Sequence, residues 1–228
     1  MTDVALNQAK MIYLARRNPA LAPEDFAQAW REHSALGAGC SNVRDKVLSV
    51  MQCARVLGGA SLPGSSTDYD GVNLLHIRDR GVADDLWADP QTQAIMRPDE
   101  ARVFSTYVRS FTLVCEESLL RDLPRGNCVV VAFLRRGCHA GDAQWQAGRD
   151  GAAALVGAGR CVWNRVDAEP PPGYRYDAIA EWWYESADAA RLALAAGGLA
   201  QQLPDALAQA IDPTASVFMF TQVTHHRP

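Results

Sequence analysis

The chain carries one pattern twice, and a repeat of this length restricts the fold more than any local propensity does. Tyr69-Asp70-Gly71-Val72-Asn73-Leu74-Leu75-His76 resembles Tyr176-Asp177-Ala178-Ile179-Ala180-Glu181-Trp182-Trp183, and a turn-rich loop precedes each. Upstream, Met11-Ile12-Tyr13-Leu14-Ala15-Arg16-Arg17 resembles Val130-Val131-Ala132-Phe133-Leu134-Arg135-Arg136, an apolar run that stops at an arginine pair. Residues 107–115 and 216–223 are β-rich runs near the end of each half.

The element pattern follows the repeat. In the first half, strands are predicted at 11–15, 46–57, 72–77 and 107–116. A helix is predicted at 23–36, with Pro23 in its first turn, Glu24 and Asp25 at the positive end of its dipole and Gly37 at its end. A second helical stretch, 82–103, is expected to break at Pro90 and Pro98. In the second half, strands are predicted at 129–134, 161–166, 179–184 and 217–224. Helices are predicted at 143–156 and 187–210, the latter broken at 196–198. The order β-α-β-β-α-β, taken twice, predicts an α+β fold of two ferredoxin-like units, 9–116 and 128–224, joined at 116–127. Helices cover one face of each sheet. The bare faces are expected to meet and enclose a ligand cavity, an α+β barrel within one chain.

Composition excludes several function classes. Of 228 residues, 48% are hydrophobic and 21% charged, enough for a core without disulfides. The net charge is −4 with no basic tract, which argues against nucleic acid. The six cysteines, Cys40, Cys53, Cys115, Cys128, Cys138 and Cys161, form no Cys-x-x-Cys pair, so no metal is expected. Residues 1–10 carry neither a signal peptide nor a membrane anchor, and a cytoplasmic location is the expectation. No phosphate-binding glycine loop, dinucleotide fingerprint or serine-nucleophile elbow is present, so no nucleotide cofactor is expected.

Phe26-Ala27-Gln28-Ala29-Trp30-Arg31-Glu32-His33 resembles the aromatic-pair-plus-histidine helix of the EthD family. The Tyr69-Asp70 and Tyr176-Asp177 pairs match that family's third-strand entrance, and Asp99-Glu100-Ala101-Arg102 with Phe104 looks like its acidic-aromatic segment. The resemblance covers most of 9–116 and fades over 128–224. It implies an α+β barrel acting on small apolar or aromatic metabolites, with dimerisation common among relatives.

Where the first half has His33, aligning Trp145 with Trp30 gives Gly148. Glu181 is read as standing where the first half has Asn73. The expected site is therefore asymmetric, with His33 and Glu181 as proton-transfer residues. Burial in a cavity would raise the Glu181 pKa and suit it to that task. Trp30, Tyr69, Asp70, His76, Tyr176 and Trp183 are the expected substrate contacts; packing and turn capping are the competing roles for the aromatics and aspartates. The leading function is a cofactor-independent isomerase, cyclase or lyase. One rival is a non-catalytic binding or auxiliary protein of a catabolic pathway, and another is a haem-binding barrel with His33 or His76 as axial ligand. Exposed sheet edges or helices leave a homodimer open.

Overall fold

Side chains on a strand point alternately to opposite faces, and both faces here are apolar. Each strand of this protein must therefore be covered twice. The structure, a computed structural model, describes residues 9–167 and 169–228. The N-terminal reading at residues 1–8 lies outside them.

Eight strands close into an antiparallel barrel. They are β1 (Ala9–Ala15), β2 (Val47–Arg55), β3 (Gly71–Ile77), β4 (Thr112–Arg121), β5 (Cys128–Leu134), β6 (Arg160–Val166), β7 (Ala178–Tyr184) and β8 (Val217–Arg227). Around the ring the order is β1-β3-β2-β8-β5-β7-β6-β4. Read by halves, this is β4-β1-β3-β2 and β8-β5-β7-β6, the same order twice. The last strand of each half pairs with the second strand of the other: β8 with β2, and β4 with β6. The ring leaves no open edge among the described strands, so of the two homodimer routes, sheet edges or helices, edge pairing has no place to form.

The helices lie outside. In the first half these are α1 (Pro23–Gly39), the short α2 (Ser41–Arg44), α3 (Val82–Ala88) and α4 (Pro90–Val103). In the second half they are α5 (Asp142–Gly151), α6 (Ala187–Ala193) and α7 (Asp205–Ala210). Phe26 and Trp30 of α1 pack on Tyr13, Phe104 and Phe111 in one aromatic cluster.

Several boundaries differ from expectation. α1 runs past Gly37 to Gly39, because Gly37 faces Met96 of α4 and is buried there. α4 continues through Pro98, although the carbonyl four residues back loses its N–H partner; its packing on α1 and the sheet outweighs that loss. The break at Pro90 holds: Pro90 opens α4 and Asp89 caps it, accepting from the Thr92 N–H at 2.8 Å. Residues 108–111 form a 3-10 turn, and β4 extends to Arg121, into the expected connector. The connector proper passes so close to β7 that a Cβ on Gly126 would lie 1.8 Å from the Tyr184 carbonyl oxygen.

The barrel interior is filled. Ile12, Leu14, Cys53, Val131, Phe133 and Trp183 belong to one buried cluster inside the ring. At one end, Lys10 is 1% exposed and pairs with Glu117 and, at 2.7 Å, with Glu181. The opening beside them holds only about 10 Å3. The expectation of a ligand cavity inside the barrel is thus corrected: large apolar side chains from all around the ring meet at its centre.

Candidate active site

The space lies elsewhere, between the helices and the outer face of the first half's sheet. It is a cavity of about 120 Å3. The sheet supplies its floor. Tyr13 on β1 is paired directly with Asn73 on β3, and Asn73 with Gln52 on β2. These three polar side chains form a row across adjacent strands, facing α1 and α4. Met11, Leu75, Val50, Leu86, Met96 and Val108 make most of the remaining wall apolar. Arg227, at the end of β8, brings a cation from the other half to the rim.

The row is buried but not satisfied. Gln52 is 1% exposed, Asn73 3% and Glu100 6%. Gln52 donates through Nε2 to the Trp30 carbonyl at 3.0 Å, which turns Oε1 outward without a partner. Asn73 hydrogen-bonds Tyr13, and its Oδ1 has no partner. Tyr13 also accepts from Trp30 Nε1 at 3.1 Å. Glu100, on α4, accepts from the Val108 N–H, and its Oε2 has no partner. A buried polar atom left unpaired costs about 1–3 kcal/mol. Three around one cavity describe a surface made to bind something.

Besides Tyr13 and Arg227, two titratable groups reach this cavity. Burial pushes the Glu100 carboxyl up to about 7, against the opposing Val108 N–H and Arg97. His33, on α1, lines the same space. Its Nδ1 lies 2.8 Å from Asp99 Oδ2. Burial lowers the His33 pKa, and Asp99 only partly offsets this. Burial opposes ionisation of Asp99, but Arg102 and His33 outweigh it and hold the carboxyl below its ordinary value. With Nδ1–H donated to Asp99, Nε2 is a proton acceptor at neutral pH.

The structure distributes the sequence-derived candidates over three places. His33 is in the cavity. Trp30 is fully buried beneath it and touches it only through hydrogen bonds to Tyr13 and Gln52. Glu181, His76 and Trp183 are inside the barrel, on the opposite side of the sheet. There Glu181 accepts from Lys10, from Asn164 Nδ2 at 2.8 Å and from Trp183 Nε1 at 3.1 Å. Both His76 nitrogens are engaged, with Ser49 at 2.9 Å and Glu117 at 3.1 Å. Tyr69 and Tyr176 border the barrel core with Tyr174. Asp70 and Asp177 accept the backbone N–H groups of Arg17 and Arg136, at 3.0 and 2.8 Å.

His33 and Glu181 therefore do not share a site. The cause is one residue of register. Ala132 pairs with Ala180, as Tyr13 pairs with Asn73, so Ala180 is the counterpart of Asn73 and Glu181 that of Leu74. A shift of one position moves a strand side chain to the other face. Gln52, Asn73 and Glu100 were not singled out from the sequence. Glu100 sits in the Asp99-Glu100-Ala101-Arg102 segment whose pattern was noted; Gln52 and Asn73 become visible only as polar breaks in outward-facing strand positions.

The second half has no such cavity row. The positions of Tyr13, Asn73 and Gln52 hold Ala132, Ala180 and Trp163. Trp163 fills the space and meets Trp145 edge-on at 5.5 Å. At Gly148, a Cβ would stand 2.8 Å from Ala210, so α5 lies close against α7. Among the described residues, no group of three or more His, Cys, Asp or Glu side chains is arranged to hold a metal ion.

No protein-family model matches the chain, and no curated protein matches it. Solved structures do. An anthrone oxidase-like protein superposes with a TM-score of 0.65 at 11% identity, over 97% of this chain and 93% of that one. A candidate monooxygenase from Fusobacterium nucleatum gives 0.58 at 8% identity, over 96% and 94%. One from Lactobacillus acidophilus gives 0.50 at 8% identity, over 96% and 94%. The likeness shows the fold. It is a closed eight-stranded antiparallel α+β barrel, formed here within one chain. At such identities it says nothing of the reaction.

Proposed function

We propose that this chain is a cofactor-independent enzyme that holds a small, largely apolar molecule in the helix–sheet cavity of its first half and removes a proton from it. One observation carries the reading: three unpartnered acceptor atoms converge on an apolar cavity that also contains Glu100, shifted to about 7, and the His33–Asp99 pair. A base poised near neutral pH in a largely apolar site is suited to general-base catalysis. Glu100 is the first candidate for that base, and His33 the second. Glu181 takes a structural role as the partner of Lys10. Proton removal is the step shared by isomerisation, cyclisation and elimination. It is also the first step when an electron-rich anion reacts with dioxygen, a version suggested by the anthrone oxidase-like and monooxygenase neighbours. The repeated strand order supports reading 9–116 and 128–224 as diverged copies of one EthD-like unit.

Native mass spectrometry with aromatic acids, lactones and phenols, followed by product analysis and an oxygen electrode, tests this reading. A bound compound converted by the wild type and unconverted by Glu100→Gln supports it. Oxygen consumed in step with conversion selects the oxidative version. A bound compound recovered intact favours the non-catalytic auxiliary reading instead.

Haem fits poorly. His76 has no free ring nitrogen, and His33 offers Nε2 only into a space of about 120 Å3, too small for a porphyrin. Added haem should give no Soret shift.

A further inference from the structure

We infer that the ligand of this cavity is an uncharged, polyhydroxylated arene, a flat apolar body that turns at least two hydroxyl hydrogens toward the sheet. This rests on the cavity reading above and narrows it. The decisive feature is the sign of the unpartnered atoms. Gln52 anchors its amide nitrogen on the Trp30 carbonyl, Asn73 anchors its own on Tyr13, and Glu100 uses one oxygen on the Val108 N–H. What each leaves toward the cavity is an oxygen: Oε1, Oδ1 and Oε2. Against Gln52 Oε1 and Asn73 Oδ1, a ketone, ether or carboxylate oxygen sets lone pair against lone pair. A hydroxyl brings the missing hydrogen and satisfies the acceptor on docking.

Spacing narrows the choice further. Gln52 and Asn73 are direct cross-strand partners, so their Cα atoms are about 5 Å apart. Two hydroxyls separated across a ring, as in a 1,3-diol, match that spacing better than adjacent ones. The Met11, Leu75, Met96 and Val108 side chains and the Trp87 ring then cover an apolar body. The fold itself does not require these acceptors, because the second half has Ala180 and Trp163 at the same positions and packs solid.

The test is calorimetric titration of the whole chain with 1,3-dihydroxynaphthalene, 1,3-dimethoxynaphthalene and 1-naphthoate. Wild type, Asn73→Leu and Gln52→Leu are compared after their melting curves establish that each is folded. The diol is expected to bind roughly tenfold or more tighter than the ether or the acid. That preference is expected to collapse in either variant; if one fails to fold, the other carries the comparison. Ether or acid binding as tightly as diol overturns the inference and leaves the cavity reading intact. A diol preference that survives both substitutions also overturns it, since binding then lies elsewhere. No binding by any of the three overturns both.

Discussion

A single carboxyl, Glu100, ties stability to function at the residue scale. Folded Glu100 keeps its proton to about 7, whereas an unconstrained glutamate releases it near 4.5. Its favourable contribution is therefore fully present below pH 4.5 and is lost as pH rises through 7. Glu100→Gln should remove that slope, so its melting temperature should gain on the wild type between pH 5 and pH 8. Turnover should move the other way. If the carboxylate is the base, kcat/KM rises with pH through about 7, and Glu100→Gln lowers it roughly 10²–10⁴-fold. His33 is held neutral by burial, so it adds a base at pH 7 and withdraws it on acidification. Asp99→Asn should lower turnover without unfolding the chain if Asp99 orients the His33 ring. Equal turnover in wild type, Asp99→Asn and His33→Ala would leave Glu100 as the sole base.

Elements differ between halves in how tightly their helices close. Gly148 lets α5 lie against α7, and Gly148→Ala should force them apart at a cost of about 1–3 kcal/mol, read from urea unfolding. The strands carry a second constraint. Lys10 of β1 meets Glu117 of β4 and Glu181 of β7, so its ion pairs join both halves. Burial opposes the ammonium, yet the two carboxylates hold its pKa above the ordinary lysine value. Lys10→Met leaves the buried Glu181 carboxylate without its cation and should cost about 3–5 kcal/mol, whereas removing an exposed pair such as Arg78–Asp79 should change stability little. Most strands were legible because their apolar runs are bounded by turns and arginines. Pro98 misled because local propensity is a weaker force than the packing of α4 on α1.

Closure of the whole ring depends on two seams, β2 with β8 and β4 with β6. Both join the first half to the second by backbone hydrogen bonds, and the interior cluster bridges them. A chain cut between Leu123 and Pro124 should therefore remain one particle in size-exclusion chromatography and separate only on unfolding. Dissociation under native conditions would mean that the covalent connector, rather than the shared barrel core, holds the halves together.

The sequence by itself determined the α+β class, most of the strand and helix order and the presence of His33 on a helix face. These follow from local periodicity and from chain-level likeness, which need no partner to be read. Tertiary structure alone decided where the cavity is. Whether a barrel is hollow depends on how side chains from all eight strands meet at its centre. How closely two helices approach over a sheet depends on facing residues far apart in the chain, such as Gly148 and Ala210. The same dependence hid the row of Tyr13, Asn73 and Gln52. Each is an unremarkable polar residue on its own strand, and only cross-strand register brings the three together beneath Glu100 and His33.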